Sequence, residues 1–533
     1  MNMIPAFLRP WLLLVCFATS SALAQGRPPN VVFFLVDDLG WTDVGCYGSS
    51  FYKTPNVDRL AREGVRFTDA YAACHVCSPT RASILTGRYP ARLGLTDWIP
   101  GRRDFRFQRL KNAANLQRLP LAEVTLAEAL KSHGYATGHF GKWHLGEGEF
   151  GPLRQGFDVQ VPRNWFKGWP RAGYHAPFKL DGLPNQPGDY LTDRLTDEAL
   201  RFMDANAEKP FFLYLTHFAV HDPIQGRADL AAKYRRAGSG KASDPGADFI
   251  LEGNPDDPEP LTAARLDASI RRPSHSQYRV LPERTVKLKQ RQDNVEFAAM
   301  VEAMDESLGR VVKKLETLGL EEDTIVIFFS DNGGMAAMNV GNPNRRVGRD
   351  RLDSAFSTSN LPLRGAKGWL YEGGIRVPCI VKWPRQGRAG LVSRQPVISN
   401  DFYPTILDMA GLPARPGQAL DGVSLVPALR GGPLKRDALF WHFPHYSNHG
   451  MQSPGGAIRV GDYKLLEYFE NGSVQLFNLA EDIGERHDLA ASNPGKVNEL
   501  LRRLKAWRDK VGARMMRPNP DHDPALYPWA ARQ

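Results

Sequence analysis

The chain reads as an α/β protein, a mostly parallel sheet flanked by helices, followed by a small α+β C-terminal domain. Three observations predict this. Apolar, β-rich runs of strand length occur at Asn30 to Val36, Tyr135 to Phe140, Pro210 to Leu215 and Thr324 to Phe329. Helical segments with clear start and stop signals lie between them, an alternation that favours parallel strands joined by crossover helices. After about Gly431 the pattern changes to short strands joined by turns.

In chain order, Thr54-Pro55 supplies an N-cap and a first helical residue, and Gly64 closes that helix. Ser78-Pro79 repeats the signal, with a helix through Thr86 that Gly87 ends. Thr125 and Glu128 form a capping-box pattern, with the stop at Gly134. Asp222 to Pro282 is rich in Pro, Gly, Asp and Arg and reads as an insertion of loops and short helices. Asp293 to Leu318 has long helical periodicity and stops at Gly319. Ala457 to Val460, Lys464 to Tyr468 and Val474 to Phe477 read as short strands, with Asn471-Gly472 a hairpin signal. A helix follows near Pro494 to Val511.

Composition narrows the class. The 533 residues are 42% apolar and 24% charged, which excludes fibrous, low-complexity and wholly disordered chains. Arg9, the apolar run Trp11 to Ala18 and Ala22-Leu23-Ala24 read as a secretory leader over residues 1–24, cleaved after Ala24. The run is too short to span a bilayer, which takes about 20 residues, so no stable membrane span is expected. The net charge of +10 suggests anionic partners. Nucleic acid is not expected among them, because Lys and Arg are dispersed and no binding module is recognisable.

Chemistry collects after the strands. Asn30 to Val36 runs into Asp37-Asp38, and Thr324 to Phe329 into Ser330-Asp331-Asn332-Gly333-Gly334. Tyr135 to Phe140 runs into Gly141-Lys142-Trp143-His144, and Pro210 to Leu215 is followed by His217 and His221. Open parallel sheets bind ligands beyond the carboxyl ends of their strands. Asp37, Asp38, Asp331 and Asn332 offer only oxygen donors, which suits a hard divalent cation such as Ca²⁺ or Mg²⁺; helix caps and Asx-turns are the other reading. Cys77 stands just before a helix N-terminus with Arg81 one turn in, a setting that favours an anion. A buried small hydrophobe, or a redox pair with Cys74, would also fit the thiol.

Cys77-Ser78-Pro79-Thr80-Arg81 followed by Ala-Ser-Ile-Leu-Thr-Gly-Arg resembles the signature of the formylglycine-dependent (type I) sulfatases, in the group of arylsulfatase A and N-acetylgalactosamine-6-sulfatase. The resemblance extends, in the expected order, through Asn30 to Gly40, Gly138 to Gly146, Val220 to Pro223, Ser330 to Gly333 and Arg364 to Pro378. It implies an alkaline-phosphatase-like fold, with a catalytic domain over residues 25–430 and a C-terminal domain over 431–533. Cys77 would be oxidised to formylglycine by a formylglycine-generating enzyme, and the aldehyde hydrate would attack sulfur. Asp37, Asp38, Asp331 and Asn332 would hold Ca²⁺ beside residue 77. Arg81 would hold the modified residue. Lys142, His221 and Lys367 would contact the sulfate and leaving oxygens, and His144 would deprotonate the second hydroxyl to expel sulfate.

The expected activity is therefore hydrolysis of sulfate monoesters by an exported, periplasmic or secreted enzyme. The substrate would be a sulfated carbohydrate, with aryl sulfates as surrogates. A phosphonate or phosphodiester hydrolase of the same superfamily and a non-catalytic binder of sulfated polysaccharide are the alternatives. His217 reads as structural. His442, His445 and His449 read as an exposed loop near the domain change. Substrate selection is expected in Pro100 to Leu119, Asp222 to Pro282 and the C-terminal domain.

Overall fold

The structure is a computed structural model that describes residues 27–237, 247–255, 257, 261–273, 285–339, 346–348, 352–414, 417–449 and 452–526. The expected leader lies outside these residues, as does part of the expected insertion. The four apolar runs form four strands of one eight-stranded sheet. In chain order these are β1 (Asn30–Val36), β2 (Val65–Phe67), β3 (Ala136–Gly141), β4 (Val159–Val161), β5 (Phe211–Thr216), β6 (Thr324–Ser330), β7 (Cys379–Lys382) and β8 (Val392–Ser393). Their spatial order is β8-β2-β7-β6-β1-β5-β3-β4. β1 lies between β5 and β6, parallel to both, with Val31 opposite Phe212 and Ile325. β7 alone among the described strands of this sheet runs antiparallel to its neighbours.

Because side chains alternate along a strand, β1 feeds two cores. Val32, Phe34 and Val36 pack with α1 (Pro55–Glu63), α4 (Leu191–Ala205) and α5 (Val295–Thr317). Val31, Phe33 and Leu35 pack on the other face with α2 (Cys77–Thr86), α3 (Leu126–Lys131) and α6 (Phe402–Met409). Both faces are covered, which is why the strands read as continuous apolar runs rather than as alternation. The Thr125–Glu128 capping box is present, and Asn294 caps α5, which ends before Gly319.

A second, four-stranded antiparallel sheet follows: β9 (Leu439–Phe443), β10 (Gly455–Val460), β11 (Tyr463–Tyr468) and β12 (Val474–Asn478). α7 (Pro494–Val511) covers it, with Leu500, Leu504 and Trp507 against Leu465 and Leu476. This core also takes in Trp369, Leu370 and Tyr371 of the segment before β7, so it reaches the main sheet's ligand edge. Among the described residues no helix is long and apolar enough to cross a membrane.

Candidate active site

Backbone hydrogen bonds continue past the strand ends and fix the loops that carry polar residues. Asp37 N donates to Ala219 O at 2.9 Å, Asp331 N to Val36 O at 3.1 Å and Lys142 N to Thr216 O at 2.7 Å. Gly141 precedes Lys142 at φ 114°, where a Cβ would stand 1.9 Å from Thr216 O. Only glycine lets the third strand deliver its lysine this close to the fifth. Lys367 arrives on a loop bonded to two others: its N–H donates to Gly334 O, and that of Gly368 to His75 O. A Cβ on Gly333 would meet Gly373 O at 1.9 Å, so that approach also requires glycine.

The side chains converge. Arg81 bonds Asp331 Oδ2 through Nε at 2.8 Å and donates to Lys142 O at 2.8 Å. Its other nitrogen lies 3.8 Å from Asp37 Oδ2. Lys142 Nζ pairs with Asp37, and Lys367 Nζ lies 2.7 Å from Asp38 Oδ1. Asn332 Nδ2 donates to Asp38 Oδ1 at 2.8 Å, which turns its own Oδ1 elsewhere. Asp37 Oδ1 and Asn332 Oδ1 are buried without a hydrogen-bond partner. Asp37, Cys77 and Asp331 bring ligand atoms within 4.8 Å of one another, as do Asp37, Asp38 and His221. This buried acidic cluster could hold a metal ion.

Electrostatics separates the groups. Burial, then the Asp331 carboxylate, pushes Asp37 up to about 7 against Lys142 and His221. Burial works on Asp38 as well, but Lys367, with His221 and Lys142, outweighs it and holds that carboxyl well below the usual range. Burial raises the Cys77 thiol, opposed by Lys142 and Lys367. Burial, then Lys142, keeps His144 neutral, far below an ordinary imidazole. Its Nε2 lies 2.6 Å from Ile99 O; a carbonyl only accepts, so Nε2 carries the hydrogen and Nδ1 is the lone pair. On His221, burial and Lys367 favour the neutral ring, yet Asp38, Asp222 and Asp37 together raise its pKa. His221 Nδ1 is 2.7 Å from Asp222 O, leaving Nε2 toward Asp38 at 3.7 Å.

A sulfatase family model matches residues 29–412, most of the chain and every residue of this cluster. The chain belongs to the sulfatase family. A second model, described as "N-sulphoglucosamine sulphohydrolase, C-terminal", matches residues 366–510. A "Sulfatase" of Formosa agariphila is 31% identical, covering 91% of this chain and 90% of its own. Human "Arylsulfatase A" is 32% identical over 92% of this chain and 88% of its own. The structure titled "Ps i-CgsB in complex with k-i-k-neocarrahexaose" aligns with TM-score 0.67 and 27% identity over 90% and 93% of the two chains. The enzyme class read from the motifs, a sulfuric ester hydrolase, and the α/β architecture both stand.

In this sulfatase a narrow cleft of about 80 Å³ reaches Cys77, lined also by His144, His221 and Lys367. Three details depart from the sequence reading. α2 begins at Cys77 with Val76 as N-cap, because the Ser78 hydroxyl is used by Ile99 N–H instead of a cap. β9 and the short strands β2, β4, β7 and β8 are absent from the sequence reading; Leu-Phe-Trp-His-Phe, for one, carries no alternation that marks a half-buried strand. His442, His445 and His449 are buried, not exposed: the segment that bears them folds against the Thr96 and Lys367 loops. His449, Trp98, Trp169 and Asn339 line the cleft. Spacing could not find them, because none belongs to a strand-end motif. His217 is structural as expected, bonded to Ser307 Oγ at 2.8 Å. Cys46, Cys74, Cys77 and Cys379 are free thiols.

Proposed function

We propose that this chain is an exported carbohydrate sulfatase that works through a formylglycine made from Cys77 and a Ca²⁺ ion. The supporting observation is the convergence of Asp37, Asp38, Asp331, Asn332, Arg81, Lys142 and Lys367 on buried Cys77, with one carboxylate and one amide oxygen unpartnered. Asp37 Oδ1 and Asn332 Oδ1 are hard donors, and the crowding of Asp37 by Asp331 is what a divalent cation relieves. Asp37, Asp38, Asp331 and Asn332 would hold the ion, next to residue 77. In place, the two groups supply a hydroxyl nucleophile and neutralise ester charge.

The remaining work falls to side chains. Arg81, fixed by Asp331, orients residue 77. Lys142 and Lys367 offset the charge on the sulfate oxygens where little water competes. His221 gives the leaving oxygen a proton from Nε2, since Nδ1 is committed to Asp222. Neutral His144 accepts a proton at Nδ1 from the residue-77 side chain so that sulfate departs. A sugar substrate fits the family likeness, and the neighbour solved with an oligosaccharide supports it. Export rests on the leader read over residues 1–24, and a formylglycine-generating enzyme is the partner in maturation.

Peptide mass spectrometry of active protein should show Cys77 as an aldehyde. The same preparation should release sulfate from a panel of monosulfated hexoses faster than phosphate from matched esters. Full activity with a thiol at position 77 would overturn the mechanism. Faster phosphate release would overturn the substrate class.

A further inference from the structure

Besides Cys77, His144, His221 and Lys367, the cleft is lined by Trp98, Trp169, Asn339 and His449. His449 is 3% exposed, yet neither ring nitrogen has a hydrogen-bond partner. The other two imidazoles of this segment differ: His442 donates to Arg514 O at 2.9 Å, and His445 meets Thr96 Oγ1 at 2.8 Å. Leaving a buried polar group unsatisfied is unfavourable, so an imidazole with both nitrogens unpaired on a ligand cleft is a hydrogen-bonding site awaiting its ligand.

Its placement is deliberate in the fold. His449 N–H donates to Ser447 Oγ at 3.0 Å, and its backbone bridges to Asn339. Gly368, next to Lys367, has φ 87°, and a Cβ there would stand 2.3 Å from His449 Cβ. The glycine makes room for the ring beside the lysine. With that ammonium adjacent and water excluded, a second positive charge is disfavoured, and burial and Lys367 hold the ring neutral. A neutral imidazole has one donor and one acceptor. Sulfate oxygens only accept, whereas an alcohol both gives and takes a hydrogen bond. Trp169, 40% exposed at the mouth, adds a flat apolar surface of the kind that packs against a sugar ring.

We propose that His449 is a recognition residue for the leaving sugar, hydrogen-bonding a ring hydroxyl beside the sulfate ester while Trp169 covers the sugar's apolar face. The inference rests on the carbohydrate-sulfatase reading and names its sugar-facing contact. A site that pairs with a hydroxyl discriminates strongly against substrates that lack one, because its own polar atoms are then stranded.

The test compares 4-nitrophenyl sulfate with the best-hydrolysed monosulfated hexose, and that hexose with its deoxy analogues at the carbons flanking the ester. In His449→Ala, kcat/KM on the hexose should fall about 10- to 100-fold, mainly through KM. On the aryl sulfate it should change less than about 3-fold. The wild type should lose a similar factor on one deoxy analogue, and His449→Ala should not distinguish that analogue from its parent. His449→Gln, which keeps a donor and an acceptor, should recover part of the loss. Equal losses on aryl and sugar sulfates, or wild-type indifference to every deoxy analogue, would overturn the proposal; the latter reads out even if the alanine variant does not fold. Failure of the underlying reading looks different: wild type with an aldehyde at residue 77 would release no sulfate from either substrate.

Discussion

At Asp38 and His144 the backbone adopts φ of 59° and 60°, a left-handed conformation that costs a non-glycine residue about 1–2 kcal/mol. Both residues sit in the cluster around Cys77, and the neighbouring loops hold them there: Asp38 N bonds Asp331 Oδ1, and His144 N bonds Phe166 O. Asp331 ties Arg81 to the Asp38 loop. In Asp331→Ala, Arg81 keeps the Lys142 carbonyl but no carboxylate nearer than 3.8 Å, and a buried charge that loses its partner costs about 3–5 kcal/mol. Metal analysis should show loss of bound Ca²⁺, and kcat/KM should fall by at least ~10²-fold. Retained metal with lost activity would separate the two roles. His221→Ala probes the proposed proton donor. Sugar leaving groups need protonation, so their turnover should fall about 10²–10⁴-fold, whereas 4-nitrophenyl sulfate should lose far less. Equal losses would place His221 outside proton transfer. These positions were legible because each follows an apolar run or sits in an ordered motif. His449 was not, because a His among Ser, Asn and Gly has the composition of a solvated loop, and only tertiary packing buries it.

Among elements, β11 reaches the site through one lysine. Lys464 is fully buried, 2.9 Å from Glu372 and 2.8 Å from Glu485. Glu372 also bonds Arg376 at 2.6 Å and lies on the segment that carries Lys367. Burial, opposed by Lys464, leaves Glu485 raised to about 7, while Lys464, with Arg376, holds Glu372 low against its own burial. Lys464→Met strands Glu485 and leaves Glu372 to Arg376, and denaturant unfolding should show a loss of about 3–5 kcal/mol. Activity should fall with it, since the Lys367 loop loses its anchor; unchanged kcat/KM in the folded variant would show the loop stands alone. The element plan was legible wherever both faces of a strand are buried, as in β1 and β6, or where a cap is local, as at Thr125. It failed where a tertiary partner took the capping group, as Ile99 took Ser78.

For the molecule as a whole, buried imidazoles weaken the fold in acid. Burial lowers His75, His139, His217 and His445 to about 3 and His442 to about 4. In the unfolded chain such rings titrate near ~6.5. Below that pH the unfolded state binds more protons, so their contribution is complete above ~6.5 and is lost as pH falls. Each ring adds up to ~1.4 kcal/mol per pH unit. Urea midpoints should drop between pH ~6 and ~4, less steeply than the imidazoles alone would give, because Asp37 and Glu485, raised to about 7, hold protons there that the unfolded chain releases. His217→Gln should flatten that slope by one ring's share; an unchanged slope would assign acid lability to other groups.

The burial of α2 has a consequence in time. Every residue of this helix is buried, and Cys77 is 3% exposed beneath the Lys367 and His449 segments. The site is assembled from residues 37 to 449, so the chain must be nearly complete before it closes. On the proposed formylglycine reading, an enzyme that converts Cys77 would have to read the signature before the sheet is covered. Maturation would then be an event in biosynthesis, and the folded thiol protein a dead end. Incubated with a formylglycine-generating enzyme, natively folded thiol protein should stay unconverted, while the same chain presented unfolded should gain the aldehyde. Conversion of the folded form at an equal rate would mean that α2 opens far more readily than its packing implies.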